Sequence, residues 1–256
     1  MTIHSTARPI FHNKVTSLAA PLAGPVVVVD SPQVHKARLV GDGGGSNPES
    51  LPLSLIVVNE SPVEGDSLDY KLMLMGNPDF PTGIEIYRAT GIPFGGGIDR
   101  FERLLAIVPG ERIEFVSIGD DWTAAKVMSS HQDFSRQIVR VGRVLLDDTF
   151  KDIFPKPPVG GQNVPVVTGH DHEHSAGFYT NNGSGAGTVD LVLNDDGTEI
   201  SRAAGTAVGA NAQANLNGSD IVLNQEQSLQ AKQASGDANT KIIAITTWLE
   251  ISEPST

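Results

Sequence analysis

Cysteine is absent from the 256 residues. That single lack removes disulfides, thiolate nucleophiles and thiolate metal ligands together, and it leaves the redox compartment open. Aromatic residues make up 5%, with 2 Trp and 3 Tyr, so the core is expected from Val, Ile, Leu and Ala. Few rings remain to serve as stacking platforms for sugars. Basic residues are outnumbered, Lys+Arg 18 against Asp+Glu 30, for a net charge of -12. Nucleic acid is excluded as the expected partner, because phosphates demand a basic surface. An acidic surface suits a protein displayed at high density or docked on basic partners. Apolar runs such as Val26 to Val29 are far too short to cross a bilayer, so no membrane partner is expected. Met1 to Ala20 lacks the charged n-region and continuous apolar stretch of a signal peptide, and no cleaved export signal is expected.

What is present is turn chemistry and repetition. Gly 27 and Pro 16 favour short strands joined by turns over long helices. The segment Glu85-Ile-Tyr-Arg-Ala-Thr-Gly91 returns as Glu199-Ile-Ser-Arg-Ala-Ala-Gly205, a separation of 114 residues (199 − 85). Its flanks return too. Leu72-Met73-Leu74 has a counterpart in Leu191-Val192-Leu193, and Gly119-Asp120-x-x-Thr123 in Gly236-Asp237-x-x-Thr240. Between these marks, alternating apolar segments of strand length are punctuated by Pro-Gly, Asn-Gly and Asp-Gly pairs. The fold expected is all-β: two tandem antiparallel β-sandwich, jelly-roll-like domains from an internal duplication.

The expected division is an arm over 1–20, a first sandwich over 21–135, a connector over 136–164 and a second sandwich over 165–256. Within the connector, Gln137 to Leu146 fits a strand or a short helix, with Gly142 and the Val/Ile content favouring strand. Asp147 to Phe154 reads as one helical turn with an acidic start. Pro155-Lys-Pro-Pro158 with Gly160-Gly161 reads as a linker. Ala204 to Asn217, without large apolar residues, is expected to be an exposed loop or the site of a partner contact.

Few stretches carry chemistry. The glycines at 43–45 and 95–97 are followed by no helix and no Lys-Ser/Thr pair, so neither is read as a phosphate cradle. No Gly-x-Ser-x-Gly elbow occurs. The acid pairs Asp120-Asp121, Asp147-Asp148 and Asp195-Asp196 fall at turns, where Asp bonds its own backbone. Glu85 with Arg88, and Glu199 with Arg202, recur at a spacing of three and read as structural ion pairs or edge-strand charges. Trp122 and Trp248 read as core or interface residues. One candidate for metal remains: His170, His172 and His174 share a face of an extended chain, their imidazoles about 7 Å apart. The competing reading is an exposed polar lead-in to the second domain. No other cofactor and no catalytic residue is expected.

The second copy, with Asn182-Gly183, Thr188-Val-Asp-Leu-Val-Leu193, Asp195-Asp-Gly-Thr-Glu-Ile200 and Thr246-Thr-Trp-Leu-Glu-Ile251, resembles the small β-sandwich modules of tailed-bacteriophage virion proteins. Leu223 to Gly236, and Ile107 to Gly119 in the first copy, follow the strand-pair pattern of such modules. The His-x-His-x-His spacing resembles the iron sites of trimeric phage tail-fibre tips. These resemblances imply a non-enzymatic structural protein located in the virion. It would be a capsid decoration or minor capsid protein, or a neck or tail accessory, oligomeric and in contact with other virion proteins. A carbohydrate-binding or adhesin-like sandwich is the alternative.

Overall fold

Strong alternation, β-branched residues and closely spaced turn signals give strands throughout. The computed structural model describes residues 10–30, 53–103, 105–107, 110–133, 139–154, 171–216, 222–223 and 227–251, and among these there is no helix. The first eight strands are β1 (Ile10–Ala19), β2 (Val26–Val29), β3 (Leu53–Asn59), β4 (Ser67–Met75), β5 (Ile84–Pro93), β6 (Gly97–Arg103), β7 (Arg112–Ser117) and β8 (Ala124–Asp133). They form two antiparallel sheets in the orders β1-β8-β3-β6 and β2-β7-β4-β5, the double Greek-key path of a jelly roll. Leu55, Val57, Leu72, Leu74, Phe101, Phe115 and Trp122 fill the space between them.

The chain then repeats that path. The later strands are β9 (Val139–Leu145), β10 (Lys151–Phe154), β11 (Asp171–Asn181), β12 (Gly187–Asp195), β13 (Thr198–Val208), β14 (Gln213–Asn215), β15 (Val222–Leu223), β16 (Gln227–Ser235) and β17 (Ile242–Ile251). Their sheets run β9-β17-β11-β14 and β10-β16-β12-β13, with the short β15 added on β11. Setting β15 aside, each strand takes the place of its counterpart in the first sandwich. The second core is built on Tyr179, Val189, Leu191, Leu193, Leu229, Ile242 and Ala244.

The duplication extends to individual bonds. The repeated segment lies on β5 and on β13, which hold the same place in the two sandwiches. In both, the closing glycine sits in a bulge at positive φ, 70° for Gly91 and 66° for Gly205. Its N–H is taken by an aspartate of the neighbouring strand: Gly91 donates to Asp69 at 2.6 Å and Gly205 to Asp190 at 2.9 Å. A buried asparagine closes β3 and its counterpart β11. The Asn59 side chain accepts from Ser61 N–H and donates to the Ile92 carbonyl. Asn181 accepts from Gly183 N–H and donates to the carbonyls of Gly185 and Val208. The Gly119 and Gly236 segments join β7 to β8 and β16 to β17, again equivalent.

Several expectations are corrected. The Asp–Gly bulges align Asp69 with Asp190, so it is Tyr70-Lys71-Leu72, two residues before the expected segment, that matches Leu191-Val192-Leu193. Residues 10–19, read as part of an arm, are the edge strand β1, paired with β8 along its whole length. Alternation there is masked because an edge strand with one wet face buries little: among the described side chains of β1, Leu18 is the buried one. In the stretch read as connector, β9 pairs with β17 and β10 with β16. Residues 151–154 are therefore strand, where a helical turn was expected; Asp147 instead accepts from Thr149 and Lys151 in a turn. The segment expected as an exposed loop carries the end of β13 and all of β14, anchored by buried Val208 and Leu216. The glycines at 43–45, Gln33 to Val40 and the Pro155 to Gly161 stretch lie outside the described residues.

Candidate functional site: the seam between the sandwiches

Apolar residues occupy consecutive positions on β17, and that determines where the second sandwich binds the first. Ile242 and Ala244 point into the second core, while Ile243 and Ile245 join the first. On β11, Tyr179 faces inward and Phe178 joins the first core. The central strands β17 and β11 of the sheet β9-β17-β11-β14 are thus buried on both faces, one against the partner sheet and one against the first sandwich.

Polar groups complete this seam. The edge strand β5 offers backbone donors and acceptors that an unprotected edge would leave for other chains. Thr180 Oγ1 donates to the Glu85 carbonyl at 2.6 Å. The Asn182 amide, turned to the orientation that satisfies both its groups, meets the same residue twice, its nitrogen 3.1 Å from the Glu85 carbonyl and its oxygen 3.0 Å from the Glu85 N–H. Two side chains of the second sandwich therefore replace a missing neighbour strand. Farther along, Arg143 of β9 donates to the Ala106 carbonyl at 2.6 Å and to Glu111 at 3.3 Å. The two side chains are 3% and 1% exposed. Burial lowers the Arg143 pKa, and the Glu111 charge opposes that shift. Asn77 adds a bond to Glu111 at 3.0 Å. Arg103 lies over the Phe178 ring, 5.5 Å from its centroid, and also donates to Asn215.

The first sandwich has a second polar tie. Asp99 of β6 accepts from Tyr70 at 2.7 Å and Tyr87 at 3.1 Å, joining its two sheets. Burial, helped by the Asp99 carboxylate, raises both phenols, Tyr87 to about 12. Both rings stay neutral at physiological pH, donating hydrogen bonds as a scaffold requires and leaving no phenolate for chemistry.

The residues singled out from sequence are distributed as follows. Glu85 and Arg88 form the expected ion pair, a two-pronged contact at 2.7 and 2.8 Å. Among the described residues Glu199 and Arg202 do not pair: a bulge places Arg202 between the registered pairs Leu191↔Ala203 and Val192↔Ser201, whereas Arg88 faces Lys71. Trp122 is in the core, as expected. Asp120 and Asp121 lie at a turn, and Asp195 ends β12 where it turns into β13. His172 and His174 stand two positions apart on β11, opposite Glu250 and Trp248 of β17. Their side chains, the Trp248 side chain and all of His170 lie outside the described residues. Among the described residues no group of three His, Cys, Asp or Glu is placed to hold a metal. Arg143 and Glu111 were not picked out in the sequence, because an Arg and a Glu 32 residues apart carry no spacing signal.

No family model matches this chain, and no curated protein is similar enough to count as a relative. Among solved structures, a conserved protein of unknown function from Pseudomonas aeruginosa is 10% identical over 91% of this chain and 98% of its own, at a TM-score of 0.24. A chain of the Sulfolobus Turreted Icosahedral Virus is also 10% identical with a TM-score of 0.24, covering all of this chain and 63% of the viral one. A fucolectin from striped bass serum is 7% identical over 94% of this chain and 97% of its own, at 0.25. Likenesses at this level assign neither a family nor a function. The jelly-roll assignment rests on this chain's own strand order.

Proposed function

We propose that the protein is a non-enzymatic structural component of a tailed-phage virion, a capsid decoration or neck or tail accessory that acts through protein–protein contacts. The observation carrying this reading is where the buried polar groups are used. Arg143, Glu111, Thr180 and Asn182 bind the two sandwiches together, and Tyr70, Tyr87 and Asp99 tie two sheets. An enzyme keeps such groups convergent on a cleft with perturbed acids and bases facing substrate. Here they stiffen an acidic block, which suits a building unit. The reading agrees with the resemblance of the second copy to phage sandwich modules.

The carbohydrate-binding alternative needs exposed rings. Tyr70, Tyr179 and Trp122 are buried and Tyr87 is half-buried; the exposed large ring among the described residues is Phe94. Quantitative mass spectrometry of purified particles from the producing system tests the two together with a glycan array. A fixed copy number per particle and no glycan binding is expected. Absence from particles, or glycan binding by the free protein, overturns the virion reading.

A further inference from the structure

The seam inside the chain has an unused duplicate on its outside. In the second sandwich the seam face is the outer surface of β9-β17-β11-β14. Its counterpart in the first sandwich is the outer surface of β1-β8-β3-β6, and strand registers match the two faces residue for residue. Across one row, Arg143, Ile245, Phe178 and Asn215 are registered neighbours. The equivalent row reads Val15, Met128, Ile56 and Arg100. In the adjacent row Leu145, Ile243, Thr180 and Gln213 correspond to Ser17, Lys126, Val58 and Ile98.

On the second sandwich the middle of this face is covered, with Phe178, Ile243 and Ile245 buried, while Leu145 at its rim is 47% exposed. On the first it is open: Val15 is 60% and Ile98 58% exposed, among the largest such values for apolar side chains of the described residues. The other half of the seam is also duplicated. On β5, Ile84, Glu85 and Ile86 are buried, with the second sandwich lying on Glu85. The registered counterparts of Ile84 and Glu85 on β13, Thr198 and Glu199, are exposed, and so is the next residue, Ile200, at 43%, which faces Leu193 as Tyr87 faces Leu72. Among the described residues, each chain therefore carries one unoccupied sheet face at its first end and one unoccupied edge strand at its second.

We infer that the protein self-associates head to tail, the outer face of β1-β8-β3-β6 of one copy docking on β13 of the next and repeating the intrachain seam. The occupant of the open face is a second copy, because the chain already contains one face-on-edge-strand contact of this geometry, with Val58 and Glu60 standing where Thr180 and Asn182 make it. Charge agrees with this. Lys126 and Arg100 stand on the face, beside Glu60 and Glu102, while Asp195, Asp196 and Glu199 mark the edge-strand end. A face-to-edge contact repeated from copy to copy is heterologous, so its propagation gives rings or filaments. This inference does not depend on the virion reading.

Sedimentation velocity of the full chain over a wide concentration range tests it. Wild type is expected to show species larger than the monomer that grow with concentration. Ile98→Asp on the face and Ile200→Asp on the edge should each abolish every such species. Both sites are exposed, so unchanged melting curves should accompany the loss; Ile98→Lys and Ile200→Lys serve if a melt shifts. An equimolar mixture of Ile98→Asp and Ile200→Asp retains one intact edge and one intact face, and it should form a dimer and nothing larger. A wild type that stays monomeric at the highest concentration overturns the inference. So does self-association of Ile200→Asp alone, which would mean face-to-face pairing, or a mixture that forms no dimer.

Discussion

At the scale of single residues, the seam turns on a charge that the chain has buried rather than discarded. Arg143 and Glu111 are almost fully enclosed, and taking two ions out of water costs several kcal/mol each before their attraction returns any of it. Arg143 offsets the cost with backbone acceptors, donating to Gly142 at 3.0 Å and Ala106 at 2.6 Å, although its Nε has no partner. Removing one member should therefore be worse than removing both. Arg143→Met takes a buried cation away from the Glu111 carboxylate and is expected to destabilise by about 3–5 kcal/mol. Arg143→Met combined with Glu111→Leu removes both charges and should recover most of that loss. Urea denaturation of the two variants and wild type gives the comparison. A double variant less stable than Arg143→Met would show that the pair itself, and not an orphaned charge, supplies the stability.

At the scale of elements, the sequence was most legible where a turn or bulge dictates the residue. Gly91 and Gly205 closed the repeated segment in the sequence, and each proves to be the positive-φ residue of an equivalent bulge. A Cβ at either would meet nothing within 4 Å, so the demand for glycine comes from the backbone alone. Gly91→Ala and Gly205→Ala should each cost about 1–2 kcal/mol, the penalty of a left-handed conformation for a residue with a Cβ. Gly24→Ala, equally open and without a positive φ, should be near neutral. Equal stability of all three would remove the bulge as the reason for the repeat. Edge strands were the least legible elements. The strand β1 shows little alternation because one face and one edge are wet, and β10 is four residues long, too short for periodicity to separate it from a helical turn. Arg88 and Arg202 show the same limit: identical residues at identical spacing, yet a bulge moves one out of the ladder, and bulge position is set by partner strands that local sequence does not name.

At the scale of the whole molecule, two sandwiches were legible and their fusion was not. The sequence suggested a jointed pair, with the second sandwich over 165–256, because Pro155 to Gly161 looks like a linker. That stretch falls between β10 and β11, inside the second sandwich's own path, and the chain passes from β8 to β9 as it enters the second sandwich. The doubly apolar run Ile242-Ile-Ala-Ile245 was the available signal, since a strand buried on both faces loses its alternation. A fragment of residues 165–256 lacks β9 and β10, one edge strand from each sheet, and bares Phe178, Ile243 and Ile245. It is expected to be unfolded by circular dichroism. Restoring 136–164 returns the strands but still exposes the seam face, so this longer fragment should fold weakly or aggregate. For the full chain, the seam joins the two cores closely enough that neither sandwich can open without exposing the other's apolar surface. Calorimetry should then show one transition whose calorimetric and van't Hoff enthalpies agree. Two resolved transitions, or an autonomously folded 165–256, would mean that the seam couples the sandwiches only loosely, and that the chain is two domains in contact and not one block.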